Sequence, residues 1–143
     1  MNTATDILLV EDNPADVRMV LEVLRSAPRV CRVQVVVDGS QALAFLRRQG
    51  AYEHATRPQL VLLDLNLPGL NGHEVLAEMK AEPHLAGIPV VIFSGSRDGQ
   101  DIMKAYQLRA SCYVSKPDGV EALRETLQGI EGFWIGTASL PLS

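Results

Sequence analysis

Cysteine is scarce in this chain. Cys31 and Cys112 are the only two, with no metal-ligand spacing between them. A disulfide framework or a thiolate metal site is therefore excluded, and both read as small hydrophobes. No basic cluster is present: 13 Lys and Arg face 17 Asp and Glu, a net charge of −4. That argues against a nucleic-acid or membrane-surface footprint. No apolar run is long enough to span a bilayer. The stretch Met1 to Asp12 has no basic n-region, and its apolar run Ile7–Val10 ends in Glu11 and Asp12, so it is not read as a signal peptide. The expected location is the cytoplasm, with reduced thiols. His54, His73 and His84 are scattered, none at ligand spacing, and all three read as surface or loop residues.

What is there is a regular alternation. Short runs rich in Val, Ile and Leu occur at Ile7–Val10, Val33–Val37, Leu60–Leu65, Val90–Phe93 and Cys112–Ser115. Nearly continuous apolar runs are the mark of parallel strands covered on both faces. Amphipathic segments lie between them. In the first, Val17, Val20, Leu21 and Leu24 share one face, with Asn13 as N-cap and Pro14 at the first helical position. Further helices are expected over about 40–49, 72–80 and 99–108, and from Val120 to Ile130. Five strands alternating with five helices predict an α/β doubly wound domain; pattern alone does not set strand order, and the flavodoxin-like order 2-1-3-4-5 is taken as the common one at this size. The unit occupies 1–132. No second domain is expected, and 133–143 is read as an apolar tail.

Ligands of such sheets bind where the strand C-termini meet. The first strand ends in Glu11-Asp12, the third in Asp64-Leu65-Asn66, the fourth in Ser94-Gly95 and the fifth in Ser115-Lys116-Pro117. Three carboxylates, a hydroxyl and an ammonium converge on one edge. Crowded carboxylates repel, and a hard cation, Mg²⁺ with Mn²⁺ as the alternative, would relieve them. A metal and a lysine beside a carboxylate fit phosphoryl transfer, with Asp64 as nucleophile and Ser94 near a phosphoryl oxygen. Gly95 would leave the approach clear, and Leu67-Pro68-Gly69 has the order of a type II turn. Any one of these residues alone would read as a cap or turn, and Asp38-Gly39 after the second strand is read that way. A phosphohydrolase of the haloacid dehalogenase type would need a second aspartate at position 66, where Asn66 stands. A flavodoxin-like cofactor binder would need a phosphate-holding first loop, and Glu11-Asp12-Asn13-Pro14 is acidic.

Glu11-Asp12, Asp64, Ser94 and Lys116-Pro117, in this order at strand ends, resemble the response-regulator receiver signature, with Tyr113 matching its switch aromatic. The resemblance spans 5–131. The stretches 10–16, 63–69 and 88–91 and the ending Gly132-Phe133-Trp134 are similar to the small receivers paired with phytochrome histidine kinases. It implies a phosphoacceptor switch and not an enzyme acting on external substrates. Asp64 would accept phosphoryl from a sensor histidine kinase. Asp12, Asp64 and the Asn66 backbone carbonyl would bind the metal, and Glu11 would reach it through water. Ser94 and Lys116 would contact the phosphoryl group, Ser94 moving toward it and Tyr113 turning inward. The fourth helix and fifth strand would carry the signal to a downstream protein or to a phosphorelay. A cis bond before Pro117 is implied as well. The alternative is a pseudo-receiver, a binding module that has lost phosphorylation.

The tail holds Phe133, Trp134, Ile135, Leu140 and Leu142. It is expected to extend a homodimer contact, against the plainer readings of a segment folded back on its own domain or a frayed end. The loop 51–57 is longer than in minimal receivers.

Overall fold

The computed structural model describes residues 4–141. The strands are β1 (Thr5–Val10), β2 (Cys31–Val36), β3 (Leu60–Leu63), β4 (Val90–Ser94) and β5 (Cys112–Ser115). All pair in parallel in the order β2-β1-β3-β4-β5, as expected. The helices are α1 (Pro14–Arg25), α2 (Gly39–Leu46), α3 (Gly72–Ala81), α4 (Pro83–Ala86), α5 (Gly99–Gln107) and α6 (Val120–Ile130). Successive strand side chains face opposite ways. Leu8, Val10, Val61, Leu63, Val90 and Ile92 therefore pack under α2, α3 and α5. Ile7, Leu9, Leu60, Leu62, Val91 and Phe93 pack against α1 and α6.

The caps expected at Asn13 and Asp38 form, and the structure adds a third at Asn71. Asn13 caps α1, its Oδ1 accepting from the N–H groups of Ala15 and Asp16. Asp38 caps α2 through a 2.7 Å bond from the Gln41 N–H. Asn71 and Glu74 form a capping box that opens α3.

Four details differ from the sequence expectations. First, α2 stops at Leu46, because Arg48 takes a left-handed φ of 54° and reverses the chain before Gly50. The longer loop then forms a one-turn 3₁₀ helix, Gly50–Tyr52, whose Tyr52 ring lies 5.3 Å from Phe45 and closes the lower end of the core. Second, α4 is an additional short helix begun by Pro83. Third, no cis peptide occurs among the described residues, so the bond before Pro117 is trans, the form an X–Pro bond favours by about 0.5–1 kcal/mol.

Fourth, the last helix does not end at Ile130. It continues in wide π-type turns through Glu131–Thr137. Ile135 is buried, and Trp134 and Leu140 pack on the α1/α6 face. The Gln59 side chain ties the Pro141 carbonyl at 3.2 Å. An amphipathic register carried past Ile130 brings these apolar side chains back onto their own sheet. Phe133 is 53% exposed, while Leu142 lies outside the described residues.

Candidate functional site

The four strand ends named from the sequence meet at one edge. Glu11 extends β1, its N–H bonded to the Val36 carbonyl of β2. Asp64 follows β3, its N–H bonded to the Val10 carbonyl. Ser94 closes β4 and pairs with Ser115 of β5. The Lys116 N–H bonds the Ser94 carbonyl at 2.8 Å. The backbone ladder thus fixes each residue before side-chain chemistry enters.

Lys116 organises the site. Its Nζ donates to Glu11 Oε1 at 2.6 Å, Asp16 Oδ2 at 2.8 Å and Asp64 Oδ2 at 2.9 Å. It also lies 5.5 Å from the centre of the Phe93 ring. Glu11, Asp12 and Asp64 offer carboxylate oxygens within 4.8 Å of one another. Glu11 and Asp64 are buried, while Asp12 is exposed at the mouth. Asp64 Oδ1 accepts the Asn66 N–H at 3.2 Å. This bond turns the chain into the loop where Gly69 adopts the φ of 71° that a type II turn requires.

Burial drives the Glu11 carboxyl from 4.5 up to about 7; the hydrogen bond from Lys116 opposes the rise and the Asp64 charge adds to it. Burial alone would lower Lys116, but hydrogen bonds to Asp16, Glu11 and Asp64 outweigh it and hold the ammonium above its ordinary range. Three carboxylates thus share one cation, and Asp12 stands beside them without a share of it. The surplus negative charge, carried entirely on hard oxygens, fits a small divalent metal.

Close packing holds the floor of the site. A Cβ on Gly72 would sit 2.3 Å from the Asp64 carbonyl oxygen and 2.7 Å from the Leu65 Cα. Only glycine lets the start of α3 approach the end of β3 so closely. A Cβ on Gly95 would meet nothing within 4 Å, so the structure leaves that position open.

Ser94 is fully buried, and its Oγ accepts the Ser96 N–H at 3.3 Å. Tyr113 packs against the core under α5, and its hydroxyl donates to the Ser96 carbonyl at 2.8 Å. Burial raises the phenol pKa, which keeps this donor protonated.

Two participants escaped the sequence reading. Asp16 stands in the first turn of α1, where a carboxylate suits the helix dipole, and that carboxylate also grips Lys116. The signal was available, since the first turn of a helix after an acidic strand end faces the same edge. His73 was assigned to the surface. It is 8% exposed, and its Nε2 meets the Asp101 carbonyl at 3.0 Å, joining α3 to α5. The close approach permitted by Gly72 draws it inside. His54 and His84 are exposed, as expected.

The response regulator receiver domain model matches residues 7–128. Response regulator Rcp1 of Synechocystis sp. is 47% identical over 135 residues, 94% of this chain and 92% of that protein. The crystal structure of its Mn²⁺-bound form superposes with a TM-score of 0.94, covering 96% of this chain and 99% of that one. The phosphorylated cyanobacterial phytochrome response regulator RcpA gives a TM-score of 0.95 at 46% identity, covering 98% and 100%. A shared fold, a matching model across most of the chain and an acidic pocket closed by one lysine agree: this chain belongs to the response regulator receiver family.

Proposed function

We propose that the protein is a phosphoacceptor switch whose Asp64 takes a phosphoryl group from a phosphohistidine of a sensor histidine kinase of the phytochrome type. The observation that carries this reading is the 2.9 Å contact of Lys116 with Asp64 inside the Glu11–Asp12–Asp64 cluster. In the step, an Asp64 carboxylate oxygen forms a bond to phosphorus. The P–N bond breaks, and its electron pair stays on the imidazole nitrogen. The product is an acyl phosphate.

Asp12, Asp64 and the Asn66 carbonyl would hold Mg²⁺, with Mn²⁺ able to replace it, and Glu11 would reach it through water. The cation supplies charge neutralisation for the incoming phosphoryl oxygens. Lys116 moves its hydrogen bond from Asp64 to a phosphoryl oxygen. Ser94 turns its hydroxyl toward the same group, and the Tyr113–Ser96 bond holds the β4–α5 loop in the position that results. α5 and β5 present the change to a downstream protein or to a second phosphotransfer protein. Exposed Met103 and Tyr106 on α5 give that surface apolar contact area. Exposed Phe133 offers apolar contact area for a homodimer. A cytoplasmic location follows from the proposed kinase partner. No helix among the described residues is long and apolar enough to cross a membrane.

The test is incubation with acetyl phosphate and Mg²⁺, read by intact mass. One added phosphoryl group, lost without metal and absent from Asp64→Asn, supports the proposal. If the wild type gains nothing from acetyl phosphate or from a phosphorylated histidine kinase, the pseudo-receiver reading replaces it.

A further inference from the structure

We propose that Asp16 is a positioning residue for phosphoryl transfer, acting through Lys116; the proposal rests on the function proposed for Asp64. An ammonium has three N–H donors. All three are engaged here, by Glu11, Asp16 and Asp64. Two of those acceptors change role when the site is used. Asp64 becomes the acyl phosphate and surrenders its bond to a phosphoryl oxygen, and Glu11 turns to the hydrated metal. Asp16 does neither, because it is not among the carboxylates whose oxygens gather within 4.8 Å. It is the one partner of Lys116 that persists through the cycle.

Its own position is fixed. Asp16 stands in the first turn of α1, where the helix dipole favours a carboxylate. Its N–H is bound by the Asn13 cap at 3.2 Å. The ion pair is largely withdrawn from solvent, the Lys116 side chain being 12% exposed and that of Asp16 19%. The lysine is held at its other end by the Lys116 N–H bond to the Ser94 carbonyl. With both ends fixed, the ammonium needs only a short swing to move from the carboxylate to the phosphoryl group. Without Asp16 it would follow Glu11 toward the metal, where like charges repel it, and would have to be recovered at each transfer.

This role makes a specific demand. Acceptance and hydrolytic loss of the phosphoryl group pass through similar phosphoryl-transfer transition states that the same ammonium stabilises, so both rates fall together. Asp16→Ala is expected to slow acetyl phosphate labelling and loss of the acyl phosphate about tenfold each. Asp16→Asn, which keeps the carbonyl acceptor at the same length, is expected to stay within about threefold of wild type. In a Lys116→Ala background, followed over hours by intact mass, Asp16→Ala is expected to add nothing, because the residue acts only through the lysine. The proposal is overturned if Asp16→Ala reacts at the wild-type rate or faster. It is also overturned if only one of the two rates changes, or if the full factor persists in the Lys116→Ala background. A wild type that labels on Asp64 while Asp16→Ala behaves identically removes the role of Asp16 alone. A wild type that never labels removes the function reading and this proposal with it.

Discussion

Replacing Lys116 by methionine removes the cation shared by Glu11, Asp16 and Asp64 while keeping an unbranched side chain of similar length. Glu11, 1% exposed, loses its 2.6 Å partner. A buried charge stripped of its partner costs about 3–5 kcal/mol. Glu11 has an escape, since burial already holds its carboxyl near 7 and protonation removes the charge. The cost should therefore depend on pH. A carboxyl raised in the folded state lends stability that is complete below its unfolded value of 4.5 and is lost as pH rises through about 7. Removing Lys116 raises that carboxyl further and deepens the loss on the alkaline side. At pH 8, without metal, we expect about 3 kcal/mol, which for a domain of this size lowers Tm by about 10 °C. At pH 5.5, where Glu11 is already neutral, the loss should be less than half as large. Mg²⁺ in millimolar excess should recover most of the pH 8 deficit by supplying the missing charge. Thermal unfolding at both pH values, with and without Mg²⁺, measures all of this. An equal drop at pH 5.5 and pH 8 that Mg²⁺ does not change would refute the electrostatic account of the pocket.

In the wild type, Mg²⁺ affinity should rise with pH between about 6 and 8 as the Glu11 proton leaves, and calorimetry in buffers of different ionisation enthalpy should detect proton release on binding. Gly72→Ala should destabilise the fold by about 2–3 kcal/mol in urea unfolding, because the new Cβ meets backbone of Asp64 and Leu65 that cannot yield cheaply, and should slow phosphorylation as Asp64 shifts.

Much of this site was legible in the chain. Strand ends are readable because a run such as Leu60–Leu63 must stop being apolar where it leaves the core, and Asp64 marks that point. The parallel pattern then requires Glu11, Asp64, Ser94 and Lys116 to share an edge, whatever the details of packing. Caps at Asn13 and Asp38 are equally local, since they depend on side chains reaching N–H groups two or three residues away. The C-terminal boundary was harder. The apolar residues of 133–141 were visible, but a stripe of Trp134, Ile135 and Leu140 has the same composition whether it covers its own sheet or a partner.

What remained hidden depends on distances between elements remote in sequence. The first turn of α1 places Asp16 at the reactive edge, but only packing sets its carboxylate 2.8 Å from an ammonium one hundred residues away. Nothing around His73 shows that α3 approaches β3 closely enough to bury it against Asp101. The elevated Glu11 carboxyl belongs to the same class, since burial in the assembled pocket produces it. Periodicity and strand-end chemistry, being local, were enough for the parallel α/β pattern and for the strand-end residues on the reactive edge, while strand order came from what is common at this size. Hydrogen-bond partners, protonation and the fold-back of the last helix wait on packing, because each is a property of a contact between segments and not of either segment alone.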